Sequence, residues 1–264
     1  MTPSSNPFLK TVPSTRLRQI ALLVADLSEA ERILVFIYRD PNVAQWGLGN
    51  FLIPLGGDII EVAGCWAKRG DGGYMIIMQN HNAASRKEYI KSRGRAKVIF
   101  EYSEEDFASC GMMPELDSHR PSGENPEPLL SPFSAWHACG PEFKSYAPAM
   151  AGSANLQLLA ATCRLTPDDS NTTAAAKTWE RIFGVDRDGS ELVFTNGRMI
   201  FVEGTAQRPE GLESITVGIK GRKRFNDLIE RAKKVGVERD GRVVMVGVEW
   251  RFVVLDNPGA KCKI

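Results

Sequence analysis

The 264-residue sequence has almost no excess of charge of either sign: 33 Lys and Arg stand against 32 Asp and Glu, a formal net of +1. No basic stripe with interleaved aromatics runs through it, which argues against nucleic acid, and so even a balance gives an anionic membrane or an acidic partner little to grip. Long apolar runs are missing too. Ile33 to Tyr38 is typical, far short of the roughly 20 residues that a bilayer-spanning helix needs. The opening Met1-Thr-Pro-Ser-Ser-Asn-Pro-Phe8 has no basic start leading into an apolar stretch, so no secretory leader is expected. Cysteine is sparse and unpatterned: Cys65, Cys110, Cys139, Cys163 and Cys262 form no Cys-x-x-Cys pair. That reads as free thiols in a reducing compartment, with a cytoplasmic location expected. Histidine is scarcer still, with only His81, His119 and His137 available to a catalytic or metal site.

Several motifs are present only in fragments. Arg69-Gly-Asp-Gly-Gly73 lacks the Lys and Ser/Thr of a phosphate loop. Asp186-Arg-Asp188-Gly189 lacks the rest of a calcium loop and reads as a turn. No Ser or Cys occupies a nucleophile elbow. The C-terminal Cys262-Lys-Ile264 resembles a degenerate peroxisomal tripeptide, with a frayed tail as the plainer reading.

What is present is a globular composition, 43% hydrophobic and 25% charged, and a recurring order of elements. Residues 1–15 are polar and Pro-rich and read as a loose arm. Leu17 to Val24 is β-prone, and Ile20, Leu22 and Val24 alternate onto one face. Asp26-Leu-Ser-Glu29 opens a helix expected to run through Ile37. Strands follow at Gly49–Leu55 and Asp58–Val62, turning on Gly56-Gly57.

The order then returns. Gly73–Met78 is a strand, Asn82–Arg93 a helix closed by Gly94, and Lys97–Glu101 a strand. Asn155–Thr162 is a strand, Thr172–Phe183 a helix closed by Gly184, and Leu192–Val202 a hairpin on Asn196-Gly197. Ser214–Ile219 is a strand, Arg224–Val235 a helix, and Val243–Val246 and Trp250–Leu255 are strands. Gln19 lies 55 residues before Tyr74, and Gln157 lies 57 before Ser214. The expected architecture is therefore α+β: four β-α-β-β-β modules in two halves, residues 16–148 and 149–264. Residues 113–141 are the least regular part of the body.

Arg18-Gln19-Ile-Ala-Leu-Leu-Val24-Ala-Asp26-Leu27 resembles the first strand and helix start of the vicinal oxygen chelate (glyoxalase-like) superfamily. Gly72-Gly-Tyr-Met-Ile-Ile77 and Trp136-His-Ala-Cys-Gly-Pro141 are similar to segments of the same group. The resemblance implies curved mixed sheets whose concave wall holds a divalent metal chelated by neighbouring oxygens of a small-molecule substrate. It also implies isomerase, lyase or extradiol dioxygenase chemistry, or plain binding, and frequent homodimers.

Alternation places Gln19, Ala21, Leu23 and Glu61 on the wall facing the cleft. Gln19 and Glu61 match the positions where glyoxalase-type members hold their metal; a hydrogen-bonded polar pair without metal is the alternative. Tyr74, where the family often has histidine, is a candidate proton or hydrogen-bond donor. In the second half Gln157 repeats Gln19 and is a candidate substrate contact, while Phe201 stands at the place of Glu61 and Glu203 follows on the same side as a candidate base. His137, beside Trp136, is a candidate substrate contact. The functional expectation is a lyase or isomerase using a metal-stabilised enolate. The alternatives are a metal-free binding protein and an extradiol dioxygenase, which would need two histidines and a carboxylate.

Overall fold

A computed structural model describes residues 14–34, 49–64, 70–93, 112–119, 121, 123, 126–131 and 143–255. Among the described residues no helix is long and apolar enough to cross a membrane.

Two mixed sheets carry the molecule. The first uses β1 (Thr15–Val24), β2 (Gly49–Leu55), β3 (Asp58–Gly64), β4 (Gly72–Asn80) and β5 (Met113–Asp117), in the order β2-β3-β1-β4-β5. The second uses β6 (Leu156–Arg164), β7 (Asp186–Asp188), β8 (Glu191–Val193), β9 (Arg198–Val202), β10 (Gly211–Lys220), β11 (Glu238–Arg239), β12 (Arg242–Met245) and β13 (Val248–Leu255). Its order is β11-β12-β13-β10-β6-β9-β8-β7. Five helices are described: α1 (Leu27–Ile33), α2 (Ala83–Arg93), α3 (Phe143–Gly152), α4 (Thr172–Phe183) and α5 (Arg222–Lys234).

The second half shows the repeated unit twice in full. β6 runs through α4 into the meander β7-β8-β9, and β9 returns parallel to β6. β10 runs through α5 into β11-β12-β13, and β13 returns parallel to β10. The two units join through the antiparallel pair β6–β10. As far as the described residues go, the first half follows this plan, with β1 and β3 parallel, β4 and β5 parallel, and β1 and β4 antiparallel at the join.

Local chemistry explains the element ends. Asp26 caps α1 by accepting the Glu29 amide at 3.0 Å, and Asn171 caps α4 through Ala174 at 3.0 Å. Gly184 ends α4 in the left-handed region at φ 72°, where a Cβ is disfavoured. Alternation sends Leu17, Ile20, Leu22, Ile60, Ile76 and Met78 into an apolar cluster that continues through Leu158, Ala161, Ile215 and Val217 of the second half. The residues under the helices therefore form one core shared by both halves.

Four points differ from the sequence reading. α1 stops at Ile33, where Leu34 turns extended at ψ 129°, rather than running to Ile37. Thr15 is the first residue of β1, so the expected arm ends one residue earlier. The irregular 113–141 stretch contains a strand: β5 pairs in parallel with β4, Met75 opposite Met113. α3 spans the expected boundary at 148/149, with Pro148 inside it. Gly94, the strand expected at 97–101, and Trp136 with His137 lie outside the described residues.

Candidate functional site

The wall opposite the helices on the first sheet is fixed by register. Gln19 stands opposite Ile59 and Ile77, Ala21 opposite Glu61 and Met75, Leu52 opposite Glu61, and Asn50 opposite Ala63. Directly paired residues share a face, so Gln19, Glu61 and Asn50 project from one side of three adjacent strands. The Glu61 carboxylate is clamped between two carboxamides: Gln19 Nε2 donates to Oε2 at 2.7 Å, and Asn50 Nδ2 donates to Oε1 at 2.7 Å. The three side chains sit deep, at 2%, 8% and 3% exposure for Gln19, Glu61 and Asn50. Around them the wall is apolar: Ala21, Leu23, Leu52, Ile59, Ala63 and Ile77, with Met150 of α3 laid against it. A charge-assisted bond on each oxygen fixes the carboxylate in one orientation, and a few convergent polar groups on an apolar surface is how small-molecule sites are built.

Tyr74 joins this wall by an irregularity that its spacing conceals. Leu22 pairs with Gly73 and Ala21 with Met75, which leaves Tyr74 as the extra residue of a β-bulge. Strict alternation with the core residues Ile76 and Met78 would send Tyr74 under the helices. The bulge keeps it with Ala21, Leu23 and Met75, at 5% exposure.

A second bulge, at Arg18 between Leu17 and Gln19, builds the floor of the wall. The Arg18 side chain is fully buried. Its Nε donates to Gln79 Oε1 at 2.8 Å, Nη1 to the Gly57 carbonyl at 2.6 Å and Nη2 to the Pro128 carbonyl at 2.8 Å. Arg16 pairs with Asp58 at 2.7 Å beside it. The two arginines thus strap residues 127–131 to the wall. Asn50 and this strap were missed in the sequence. The signal for Asn50 was present, since its place two residues before Leu52 gives it the face of Leu52 in β2.

The second half does not repeat the clamp. Its own bulges fall at Leu159 and Glu213, and they match those at Arg18 and Tyr74. Superposing bulge on bulge sets Ala160 at the place of Gln19 and Ile200, which pairs with Thr162, at the place of Glu61. Gln157 then corresponds to Arg16 and is exposed, so the 138-residue spacing from Gln19 is off by three positions. Phe201 lies on the helix side, its ring centroid 6.0 Å from that of Trp179 in α4. Glu203 falls beyond the end of β9 and is exposed. The structure therefore brings Gln19, Glu61 and Tyr74 to one wall and leaves Gln157 and Glu203 away from it; His137 is outside the described residues.

For a divalent metal the donors on this wall are one carboxylate and two neutral carboxamides, each aiming an N–H at that carboxylate. Among the described residues no group of three or more His, Cys, Asp or Glu converges. His81 lies away from the wall beside α2, and His119 contacts Asp117 at 3.4 Å. With both carboxamides turned N–H first onto Glu61, the described residues leave its carboxylate alone to face a cation, short of the three protein ligands an open catalytic centre usually has. The set fits a carboxylate held by hydrogen bonds.

No protein-family model matches the sequence, and no curated protein is similar to it at a significant level. Solved structures are similar throughout. A variant of 4-hydroxymandelate synthase from Streptomyces coelicolor aligns over 94% of each chain, with a TM-score of 0.57 and 13% identity. A 2,2',3-trihydroxybiphenyl 1,2-dioxygenase from Sphingomonas wittichii aligns over 91% of each, at TM-score 0.53 and 12% identity. A hypothetical protein from Staphylococcus aureus aligns over 91% of this chain and 100% of its own, at 0.53 and 9%. Paired modules, mixed sheets and these alignments agree: the chain has the fold of the vicinal oxygen chelate, or glyoxalase-like, superfamily.

Proposed function

We propose that the first-half wall binds a small oxygenated organic molecule and that Glu61 moves a proton on it, as in a lyase or isomerase of glyoxalase-like type. The observation that carries this is a carboxylate, nine-tenths buried, held between Gln19 and Asn50 on a surface that is largely apolar among the described residues. A carboxylate so placed accepts a proton from the carbon beside a substrate carbonyl. Returned to the neighbouring carbon, that proton completes an isomerisation; loss of a β-substituent instead completes an elimination. Tyr74 brings a phenol to the same wall and would donate a hydrogen bond to the carbonyl oxygen as it gains charge. Gln19 and Asn50 orient the carboxylate, and the apolar residues exclude water. No step passes through a metal ion, because the described donors do not fit one.

A binding protein of the same fold is the second reading, favoured by the same poverty of charged groups on the wall. An extradiol dioxygenase has less support: it needs two histidines and a carboxylate, and the wall has glutamine at 19 and methionine at 75, the residue that follows the β4 bulge as Gln19 follows the one in β1.

The test is Glu61→Gln, which keeps the volume and removes the charge. Ligands found by thermal shift with a metabolite collection are followed by NMR for exchange of their α-protons with deuterated solvent. Exchange with wild type, lost in Glu61→Gln while binding persists, supports the enzyme. Binding without exchange supports the second reading. Stoichiometric metal in the purified protein, lost in Glu61→Gln, overturns the metal-free assignment.

A further inference from the structure

A recess of about 300 Å³ lies where the two halves meet on the helix side, away from the concave wall. Its lining includes Asn80, His81, Ser85, Arg86 and Tyr89 from the first half and Phe183 from the second, and among the described residues no Asp or Glu lines it. Arg86 crosses from one half to the other. Its Nε donates to the Ile182 carbonyl at 2.6 Å, and Nη2 to the carbonyls of Glu180 and Arg181, so it closes the C-terminal end of α4. These bonds leave Nη1 uncommitted. It lies beside Gly184, where a Cβ would come within 3.3 Å of it, and Gly184 also lines the recess. The guanidinium stacks on Tyr89 at 4.5 Å, and desolvation lowers its pKa, the sign of a cation partly removed from water. The recess therefore combines a partly desolvated guanidinium with unassigned donors, an imidazole, amide and hydroxyl groups, and two aromatic rings.

The geometry points to a binding site for a small organic carboxylate, its head on Arg86 Nη1 and its apolar body against Tyr89 and Phe183. Guanidinium and carboxylate match in shape as well as charge. The volume is at the lower end for ligand pockets, which selects a single-ring acid over a nucleotide. Because the lining comes from both halves, such a ligand fastens α2 to the end of α4.

The probes are 4-fluorobenzoate and its neutral counterpart 4-fluorobenzamide, followed by fluorine NMR line broadening with the full-length protein. Wild type should bind the acid at least roughly tenfold more tightly than the amide, as expected for hydrogen bonds to a charged group. Arg86→Met should abolish the preference, but it also uncaps α4. Ser85→Glu is therefore the second variant. Asn82 already caps the helix by accepting the Ser85 amide at 2.9 Å, and acidic side chains are favoured in a helix's first turn, so a Glu at this position should hold the melting temperature. The same carboxylate fills the recess with negative charge and should block the acid. Glu61→Gln should leave acid binding unchanged, which separates this site from the proposed catalytic wall. Equal binding of acid and amide, no binding of the acid, or full binding in Ser85→Glu would each overturn the proposal.

Discussion

The side chain of Asn196 bonds to the backbone of Leu17 as a neighbouring strand would. Oδ1 accepts the Leu17 amide at 3.0 Å and Nδ2 donates to the Leu17 carbonyl at 2.8 Å, with a further bond to Asp58 Oδ2 at 3.0 Å. One carboxamide at the tip of the β8–β9 turn thus ties the second half to the first strand of the first half. Asn196→Ala should cost about 2–4 kcal/mol in urea unfolding, since it strands the polar groups of a buried strand residue. Asn196→Asp keeps the acceptor, loses the donor and sets a second carboxylate beside Asp58, and should be no better. A loss below the error of the measurement for both variants would show that the tie contributes nothing.

Arg18 should be irreplaceable by Lys. A guanidinium satisfies Gln79, Gly57 and Pro128 from three nitrogens at once, whereas an ammonium is a single point that cannot span them. Arg18→Met should cost about 3 kcal/mol or more by leaving buried carbonyls unpaired, and Arg18→Lys nearly as much. Limited proteolysis supplies the local readout: cleavage near residues 127–131 should rise in both variants before global unfolding does.

Burial pushes the Cys163 thiol up to about 12, Glu210 adding to the shift and Arg164 opposing it. In the unfolded chain the thiol ionises near 9.0, so between these values the folded state binds the extra proton. Stability should therefore fall as pH rises through that window, by up to about 1.4 kcal/mol per pH unit from this group. Cys163→Ala should remove that part of the alkaline slope. In native protein at pH 8 Cys163 should not react with a thiol reagent, and it should become reactive on denaturation.

Gly73→Ala should be poorly tolerated although β4 is extended there. The added Cβ would fall 2.4 Å from Leu212 Cβ, on the first strand of the second half's last module. Overpacking of this kind costs about 1–3 kcal/mol. Gly70→Ala, which meets nothing within 4 Å but holds φ at 76°, should lose stability through backbone strain alone, about 1 kcal/mol. Equal unfolding midpoints for wild type and Gly73→Ala would refute the contact.

The periodic parts of the chain were legible because they obey the two periods that sequence displays. Ile20, Ile60 and Ile215 fall under the helices as alternation requires, and Gly184 and Asn196-Gly197 close their elements as their chemistry dictates. Gln19 and Glu61 were placed on one wall for the same reason. Bulges broke the reading elsewhere, because one added residue inverts every face assignment beyond it and leaves no mark in composition. Gln157 repeats Gln19 in residue type, but the matched bulges at Arg18 and Leu159 make Ala160 the counterpart, three positions on, and only the strand register shows this. Phe201 was assigned to the wall because Glu61 was, yet its register sends it against Trp179. The Arg18 strap depends on carbonyls more than 100 residues away, and no local pattern announces such partners.

The four bulges have a consequence for how this wall can change. At each one, the extra residue stands outside the alternation of its strand, so its exchange leaves the volume beneath the helices untouched. The occupants bear this out: a guanidinium at 18 answers to an isobutyl group at 159, and a phenol at 74 to a carboxylate at 213. Inserting or deleting a residue anywhere else in these strands would turn polar groups into the core and expose apolar ones. The backbone irregularity is thus a socket of constant shape that each half has filled with its own chemistry, a buried arginine strap in one and an isobutyl group in the other.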